Sequence, residues 1–265
     1  MQPTDKLDAR AIQKNLSSKY LGRRLLLVQE CISTNDVAAV KAAEGAPHGF
    51  VVIAEKQTAG RGRGQRQWFS PEGGIWLTVV IRPRNDEKFD TLPSVCALAV
   101  CNATNRTLKV NSRVRWPNDI MLDDRKLGGV LVESEVKGRK LVYALLGMGL
   151  NANFETDWIE PIRGTAVSLF DVLHFPICRE ALIASILNET ERLYDINLAG
   201  EDEILAMLGQ VDWSRGKKAG INLASREVIG VVEGYDTLGR MRILTADGLE
   251  IIETCDVVSV EYKSN

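Results

Sequence analysis

The chain has 265 residues, with 33 Lys and Arg against 35 Asp and Glu, a formal net charge of −2, and 45% hydrophobic content. That length builds a sizeable core in one large domain or two smaller ones, and the charge excludes a globally basic nucleic-acid binder. No apolar run reaches the roughly 18 residues of a membrane helix, and Met1–Lys6 opens no signal-peptide core, so a cytoplasmic protein is expected.

Residues 5–19 read as a short helix, with Leu7, Ala11, Ile12 and Leu16 near helical spacing. Leu25–Val28 reads as a strand. Ser33 and Thr34-Asn35-Asp36 read as a helix start, because a short polar side chain caps the free amides of the first turn. Val51–Ala54 is a buried strand, and Gly60-Arg-Gly-Arg-Gly-Gln-Arg66 is a loop without a regular period. Ile75–Ile81 is a strand and 92–108 a largely buried helix. Short apolar segments follow at 114–116, 120–122, 129–133 and 141–148, broken by turn residues. That spacing predicts an antiparallel or mixed sheet, not repeated βαβ units. Residues 178–193 form an amphipathic helix. From Ile221 onward the chain reads as short strands, at 227–232, 240–245, 249–252 and 257–262. A small β-barrel of roughly 50 residues is marginal alone, so it is expected to lean on the larger part. The expected division is 1–212 and 213–265.

Five cysteines, Cys31, Cys96, Cys101, Cys178 and Cys255, include no Cys-x-x-Cys pair. Free thiols are expected, with neither a disulfide framework nor a zinc knuckle. His48 and His174 are the two histidines, which excludes a site built on several of them.

The loop 60–66 packs three glycines and three arginines into seven residues. Glycine permits close backbone approach, and arginine offers planar charged forks that match phosphate or carboxylate. The loop is neither a P-loop nor a dinucleotide fingerprint, since Gln65 stands where the third glycine would be. Trp68, just beyond it, suits a lid over apolar ligand surface. Asn118 and Asp119 either form a plain Asx turn or set an amide and a carboxylate at a strand end. Lys126 precedes the apolar segment that opens with Gly128-Gly129, and Gly147-Met-Gly-Leu-Asn151 ends another. A hairpin lysine and a tight turn are the plain alternatives for these two.

In this order, Ser33-Thr-Asn35, Gln57-Thr-Ala-Gly-Arg-Gly-Arg63 through Arg66-Gln-Trp68, Ser70-Pro-x-Gly73, Trp116-Pro-Asn-Asp119, Arg125-Lys-Leu-Gly-Gly129 and Gly147-x-Gly-Leu-Asn151 resemble the biotin protein ligases. The resemblance runs from the first strand to the end. It implies an α+β fold: a mixed, largely antiparallel sheet flanked by helices, similar to class II synthetases and to lipoate ligases, with a small C-terminal SH3-like barrel. It also implies a two-step reaction. Biotin and ATP with magnesium give biotinyl-5′-AMP, and biotin then passes to a lysine of a biotin carboxyl carrier protein.

The residue roles below are what that resemblance implies. Lys126, Arg61, Arg63 and Asp119 are the candidate catalytic set, with Asp119 also the candidate magnesium ligand. Ser33, Thr34, Asn35, Gln57, Gly60, Arg61, Gly62, Arg63, Lys126, Gly128 and Gly129 would bind biotin. Arg61, Arg63, Arg66, Trp68, Asn118, Lys126 and Asn151 would bind ATP. The sequence departs from the family pattern at Arg115, where lysine is common, and at Gly64-Gln65. Only 32 residues precede Ser33. A winged-helix DNA-binding module needs roughly 60 residues, so no nucleic-acid role is expected. A homodimer is an expectation from the family. Two other readings are a lipoate-type ligase of the same fold and a nucleotide- or RNA-binding module. The low charge and the lack of a basic aromatic sheet weigh against the second.

Overall fold

The computed structural model describes residues 6–83, 91–138, 140–236 and 238–263. Expectations that touch Met1–Asp5, Thr237 and the side chains of Gln65 and Cys255 lie outside the described residues.

The larger sheet comprises β1 (Leu25–Cys31), β2 (Val51–Gln57), β3 (Ile75–Ile81), β4 (Arg113–Arg115), β5 (Asp119–Leu122), β6 (Arg125–Lys137) and β7 (Lys140–Leu150). Its spatial order is β1-β2-β3-β7-β6-β5-β4. β1 and β2 run parallel and every other pair is antiparallel. The helices are α1 (Ala9–Lys14), α2 (Thr34–Ala43), α3 (Leu92–Leu108), α4 (Leu169–Leu173), α5 (Arg179–Ala199) and α6 (Glu201–Gln210). The second, antiparallel sheet holds β8 (Lys218–Leu223), β9 (Glu227–Tyr235), β10 (Met241–Thr245), β11 (Gly248–Ile252) and β12 (Val257–Lys263), in the order β11-β10-β9-β8-β12. The architecture is the mixed, helix-flanked sheet with a small C-terminal β unit that the sequence implies.

Alternation along the strands sorts the core into two layers. Val51, Ile53, Ile75, Leu77, Val79 and Ile81 share one core with the buried residues of α3 and α5. Val52, Val80 and Leu145 pack against Ala38 and Ala42 of α2 on the opposite face. All seven residues of β3 are buried because both faces are covered.

Several boundaries differ from the sequence reading. α1 is six residues long, since the Asn15 amide closes back onto Gln13 and Ile12 and ends the helix before Leu16. Lys126 lies inside β6, its backbone paired to Thr165 and Val167. The strand segment thought to begin at Ile221 begins at Lys218. The sequence reading did not include the helices α4 and α6, of five and ten residues.

The two sheets join through Trp116. The Trp116–Pro117 peptide is cis. The indole is buried with Ala219, Ile221, Val228 and Met241 of the second sheet, and its Nε1 donates to the Gly239 carbonyl at 3.3 Å.

Candidate active site

The register of the larger sheet builds a trough on the face that carries α2. Trp76 of β3 pairs with Gly149 of β7, Gly149 with Gly129 of β6, and Gly129 with Asp119 of β5. One row thus runs Trp76–Gly149–Gly129–Asp119. The next row runs Thr78–Gly147–Leu131. Glycine floors both rows, and each absent side chain is replaced by another group. A Cβ at Gly149 would lie 2.8 Å from Trp68 Nε1, and one at Gly147 would lie 2.5 Å from Asn35 Oδ1. The trough opens into a cavity of about 860 Å³, within the range of small-molecule sites.

At one end sits a polar cluster. Ser33 caps α2, its hydroxyl accepting from the Asn35 amide. Gln57 Oε1 accepts from the Thr34 amide at 2.8 Å and from the Thr34 hydroxyl at 3.2 Å, while its Nε2 donates to Ser70 Oγ at 2.8 Å. The Thr78 hydroxyl, fully buried, stands 2.8 Å from Thr34 Oγ1 and 2.5 Å from Asn35 Oδ1. Gly60 packs against this cluster, since a Cβ there would meet Ser70 Oγ at 2.6 Å. Asn35 Nδ2 donates to Glu133 Oε2 at 2.6 Å.

At the other end, Lys126 Nζ and Arg115 Nη2 each lie 2.6 Å from a different oxygen of Asp119. Lys126 Nζ is also 5.0 Å from the centre of the Trp68 ring. Arg115 faces Trp213 and Tyr262 at 5.7 and 6.0 Å, contacts of cation–π range. Burial pushes the Tyr262 phenol well above its ordinary range, so it stays a neutral hydroxyl, bonded to Trp116 O and Ser214 Oγ. The planar arginine at 115 is therefore fastened between a carboxylate and two rings.

The arginine–glycine loop closes on itself more tightly than its sequence suggests. Gly62 N donates to Arg66 O and Trp68 N to Gly60 O, at 2.7 and 2.8 Å. The tip is a 3₁₀ turn in which Gly64 takes φ 64°, ψ 29°. That left-handed conformation favours glycine, which accounts for the residue at this departure from the pattern. Arg63 Nη2 donates to the carbonyls of Thr254 and Val257, the latter at 2.7 Å, and Arg66 Nη2 to Val258 O at 2.6 Å. The rim is thus completed by the second sheet.

Arg61 points elsewhere. Its Nη2 is 2.7 Å from Asp36 Oδ1 and 3.0 Å from Glu133 Oε2. The Asp36 bond raises its pKa above that of an ordinary guanidinium, against the opposing effect of burial and with help from Glu133.

The structure brings Ser33, Thr34, Asn35, Gln57, Arg61, Gly62, Arg63, Arg66, Trp68, Asn118, Asp119, Lys126, Gly129 and Asn151 to one cavity wall. Gly128 faces away from it: a Cβ there would meet the Gly149 carbonyl and the side chains of Leu150 and Ile120. Two amides serve the frame. Asn118 Nδ2 donates to Val130 O at 2.6 Å, and Asn151 Nδ2 to Val167 O at 3.1 Å. Sequence reasoning missed Glu133, Thr78 and Arg115's aromatic seat. A single carboxylate closing the apolar run Val130-Leu-Val132 was the available signal for Glu133.

Among the described residues no group of three His, Cys, Asp or Glu converges as a metal site, and no helix is long and apolar enough to cross a membrane.

Residues 30–151 match the biotin/lipoate A/B protein ligase family. The chain is 29% identical over 259 residues to the bifunctional ligase/repressor BirA of Bacillus spizizenii, covering 95% of this chain and 79% of that one. It is 28% identical to the biotin–[acetyl-CoA-carboxylase] ligase of Mycobacterium tuberculosis, over 95% of both. Its fold matches the Aquifex aeolicus biotin protein ligase solved with biotin and ATP, with a TM-score of 0.78 at 24% identity over 91% of this chain and all of that one. The Leishmania major biotin protein ligase solved with biotinyl-5-AMP matches with a TM-score of 0.57, also at 24% identity, over 92% of this chain and 99% of that one. Residues 30–151 thus carry the match to the biotin/lipoate A/B protein ligase family, and the proteins that the chain resembles over nearly its whole length include biotin protein ligases.

Proposed function

We propose that this chain activates biotin with ATP to biotinyl-5′-AMP and transfers the biotinyl group to a lysine of a biotin carboxyl carrier protein. One observation carries the reading: a single glycine-floored cavity joins the polar cluster of Ser33, Thr34, Asn35 and Gln57 to Lys126 and the arginine loop. The polar end suits a cyclic urea, whose carbonyl and N–H groups need both donors and acceptors. The cationic end suits a triphosphate.

In the first step a biotin carboxylate oxygen attacks the α-phosphorus, an acyl phosphate bond forms, and pyrophosphate leaves. Two anions must approach, so fixed positive charge is the main contribution expected of the protein. Lys126 supplies it at the trough. Arg63 and Arg66 supply it at the rim, where a phosphate offers the opposite charge and bidentate geometry that a carbonyl lacks. In the second step the lysine amine attacks the acyl carbon, an amide forms, AMP leaves, and the amine gives up a proton. Asp119 aligns Lys126 by its 2.6 Å contact.

Magnesium on Asp119 does not fit the side chains as they stand, because each carboxylate oxygen already meets a cation. Magnesium keeps several waters and is usually bound through substrate phosphates with one or two carboxylates. We therefore assign it to ATP and route no step through Asp119 as a ligand. The reading places the enzyme in the cytoplasm, where ATP and carrier proteins meet, and treats residues 1–212 as the catalytic unit and 213–265 as its C-terminal partner.

Incubation with labelled biotin, ATP and a carrier domain is expected to label the carrier and release pyrophosphate in a biotin-dependent way. Lipoate is expected to support neither. Absence of both signals with biotin refutes the reading.

Trp68 covers the trough. Its ring lies edge-on to Trp76 at 6.5 Å, yet its buried Nε1 lacks a hydrogen-bond partner. An unmet buried donor costs about 1–3 kcal/mol, which a ligand acceptor placed against this indole would recover. Trp68→Ala is expected to shorten the lifetime of the bound adenylate severalfold, measured by chasing preformed intermediate with unlabelled substrates. An unchanged lifetime contradicts the covering role.

A further inference from the structure

We propose that Glu133 is a positioning residue for recognition of the ring end of the substrate, acting through Asn35 and Arg61; this rests on the biotin reading above. Glu133 lies on β6 opposite Leu145 of β7, one row beyond the trough floor. Its Oε2 accepts from Asn35 Nδ2 at 2.6 Å and from Arg61 Nη2 at 3.0 Å, and its Oε1 accepts from Arg61 Nε at 3.2 Å. The Arg61 fork also reaches Asp36 on α2. One carboxylate therefore ties the first turn of α2, the arginine loop and β6 together.

The chemistry of that carboxylate decides the orientation of Asn35. An asparagine amide turns about a broad, roughly two-fold torsion, and its two ends have opposite polarity. An ionised carboxylate only accepts, so it holds Nδ2 toward Glu133 and leaves Oδ1 toward the Thr78 hydroxyl, 2.5 Å away. The absent side chain at Gly147 leaves room for that pose. Without Glu133 both amide orientations compete, and Thr78, a hydroxyl that donates or accepts, selects neither. The same carboxylate changes the role of Arg61. A single guanidinium facing Asp36 and Glu133 has its charge matched locally. Arg61 accordingly clamps the root of the loop to the sheet, and the phosphate-facing charge falls to Lys126, Arg63 and Arg66.

The test is a double-mutant cycle in the full chain, reading biotin affinity by calorimetry without ATP and steady-state KM values for biotin and ATP. Glu133→Ala is expected to weaken biotin binding at least tenfold while the KM for ATP stays within twofold. Glu133→Gln, which keeps the volume, is expected to weaken it severalfold. Asn35→Ala is expected to cost much less in the Glu133→Ala background than in the wild type, because the amide is already misaligned there. Additive losses, or equal losses for biotin and ATP, overturn the positioning role and leave Glu133 a structural tie. Lack of biotin binding by the wild type overturns the biotin reading itself, together with this inference.

Discussion

Lys126→Ala is expected to slow biotin-dependent pyrophosphate release at least tenfold, about 1.4 kcal/mol of barrier. The reason is electrostatic. The lysine is held at the centre of the trough by Asp119 and lies against Trp68, so its charge is preorganised before the anions meet. Stability is expected to change little, because Asp119 keeps its bond to Arg115 and Lys126 is part-exposed at the cavity. Single-turnover measurement with saturating ATP isolates the step. A rate within twofold of wild type, in a variant that still binds both substrates, removes Lys126 from the adenylation machinery.

Arg179→Ala is expected to be the most destabilising of the single changes considered, by about 3–5 kcal/mol, the usual cost of breaking a buried ion pair from one side. Arg179 is fully buried and its Nη1 donates to Glu55 Oε2 and to the Gly74 carbonyl, both at 2.9 Å. Glu55 also accepts from the Leu7 amide. The pair thereby fastens the N-terminal segment, β2, the entrance to β3 and the start of α5. Removing the guanidinium strands the Glu55 carboxylate in the core. Urea denaturation measures the loss. Replacing both partners with apolar residues of similar volume, Arg179→Met with Glu55→Leu, is expected to recover much of it, since such swaps are often neutral. A single variant losing under 1 kcal/mol refutes the account.

Much of this protein was legible before any fold was known. The long apolar or strongly periodic segments gave correct elements: Ile75–Ile81 is β3 and Leu92–Leu108 is α3, residue for residue. Burial on both faces leaves a continuous apolar run, and a helix with ten buried residues has its period imposed by packing. The hydroxyl and amide run at residues 33–35 announced a capped helix, and Ser33 does cap it. The candidate side chains were also legible as types, because chemistry that joins a carboxylate to a triphosphate requires cations, and few segments of a chain of net charge −2 cluster them.

Short elements were not legible. α1 stops after six residues through a local backbone closure at Asn15 that helical spacing does not report. The role of each arginine was hidden too. In the sequence nothing separates Arg61 from Arg63, and Arg66 differs only in being expected on the ATP side alone. In three dimensions Arg61 faces two carboxylates from α2 and β6, while Arg63 and Arg66 reach carbonyls nearly two hundred positions later in the chain.

The sequence by itself determined the order of the principal strands and helices along the chain and the inventory of polar groups, because these follow from local periodicity and residue chemistry, while the fold class came through the resemblance that its motifs carry. Only the tertiary structure decided which of those groups meet. The strand register aligns Trp76, Gly149, Gly129 and Asp119 in one row and so converts scattered glycines into a trough. It also makes Glu133 the shared partner of Asn35 and Arg61, since contact across 72 to 98 positions depends on how strands pair and not on what lies beside each residue in the chain.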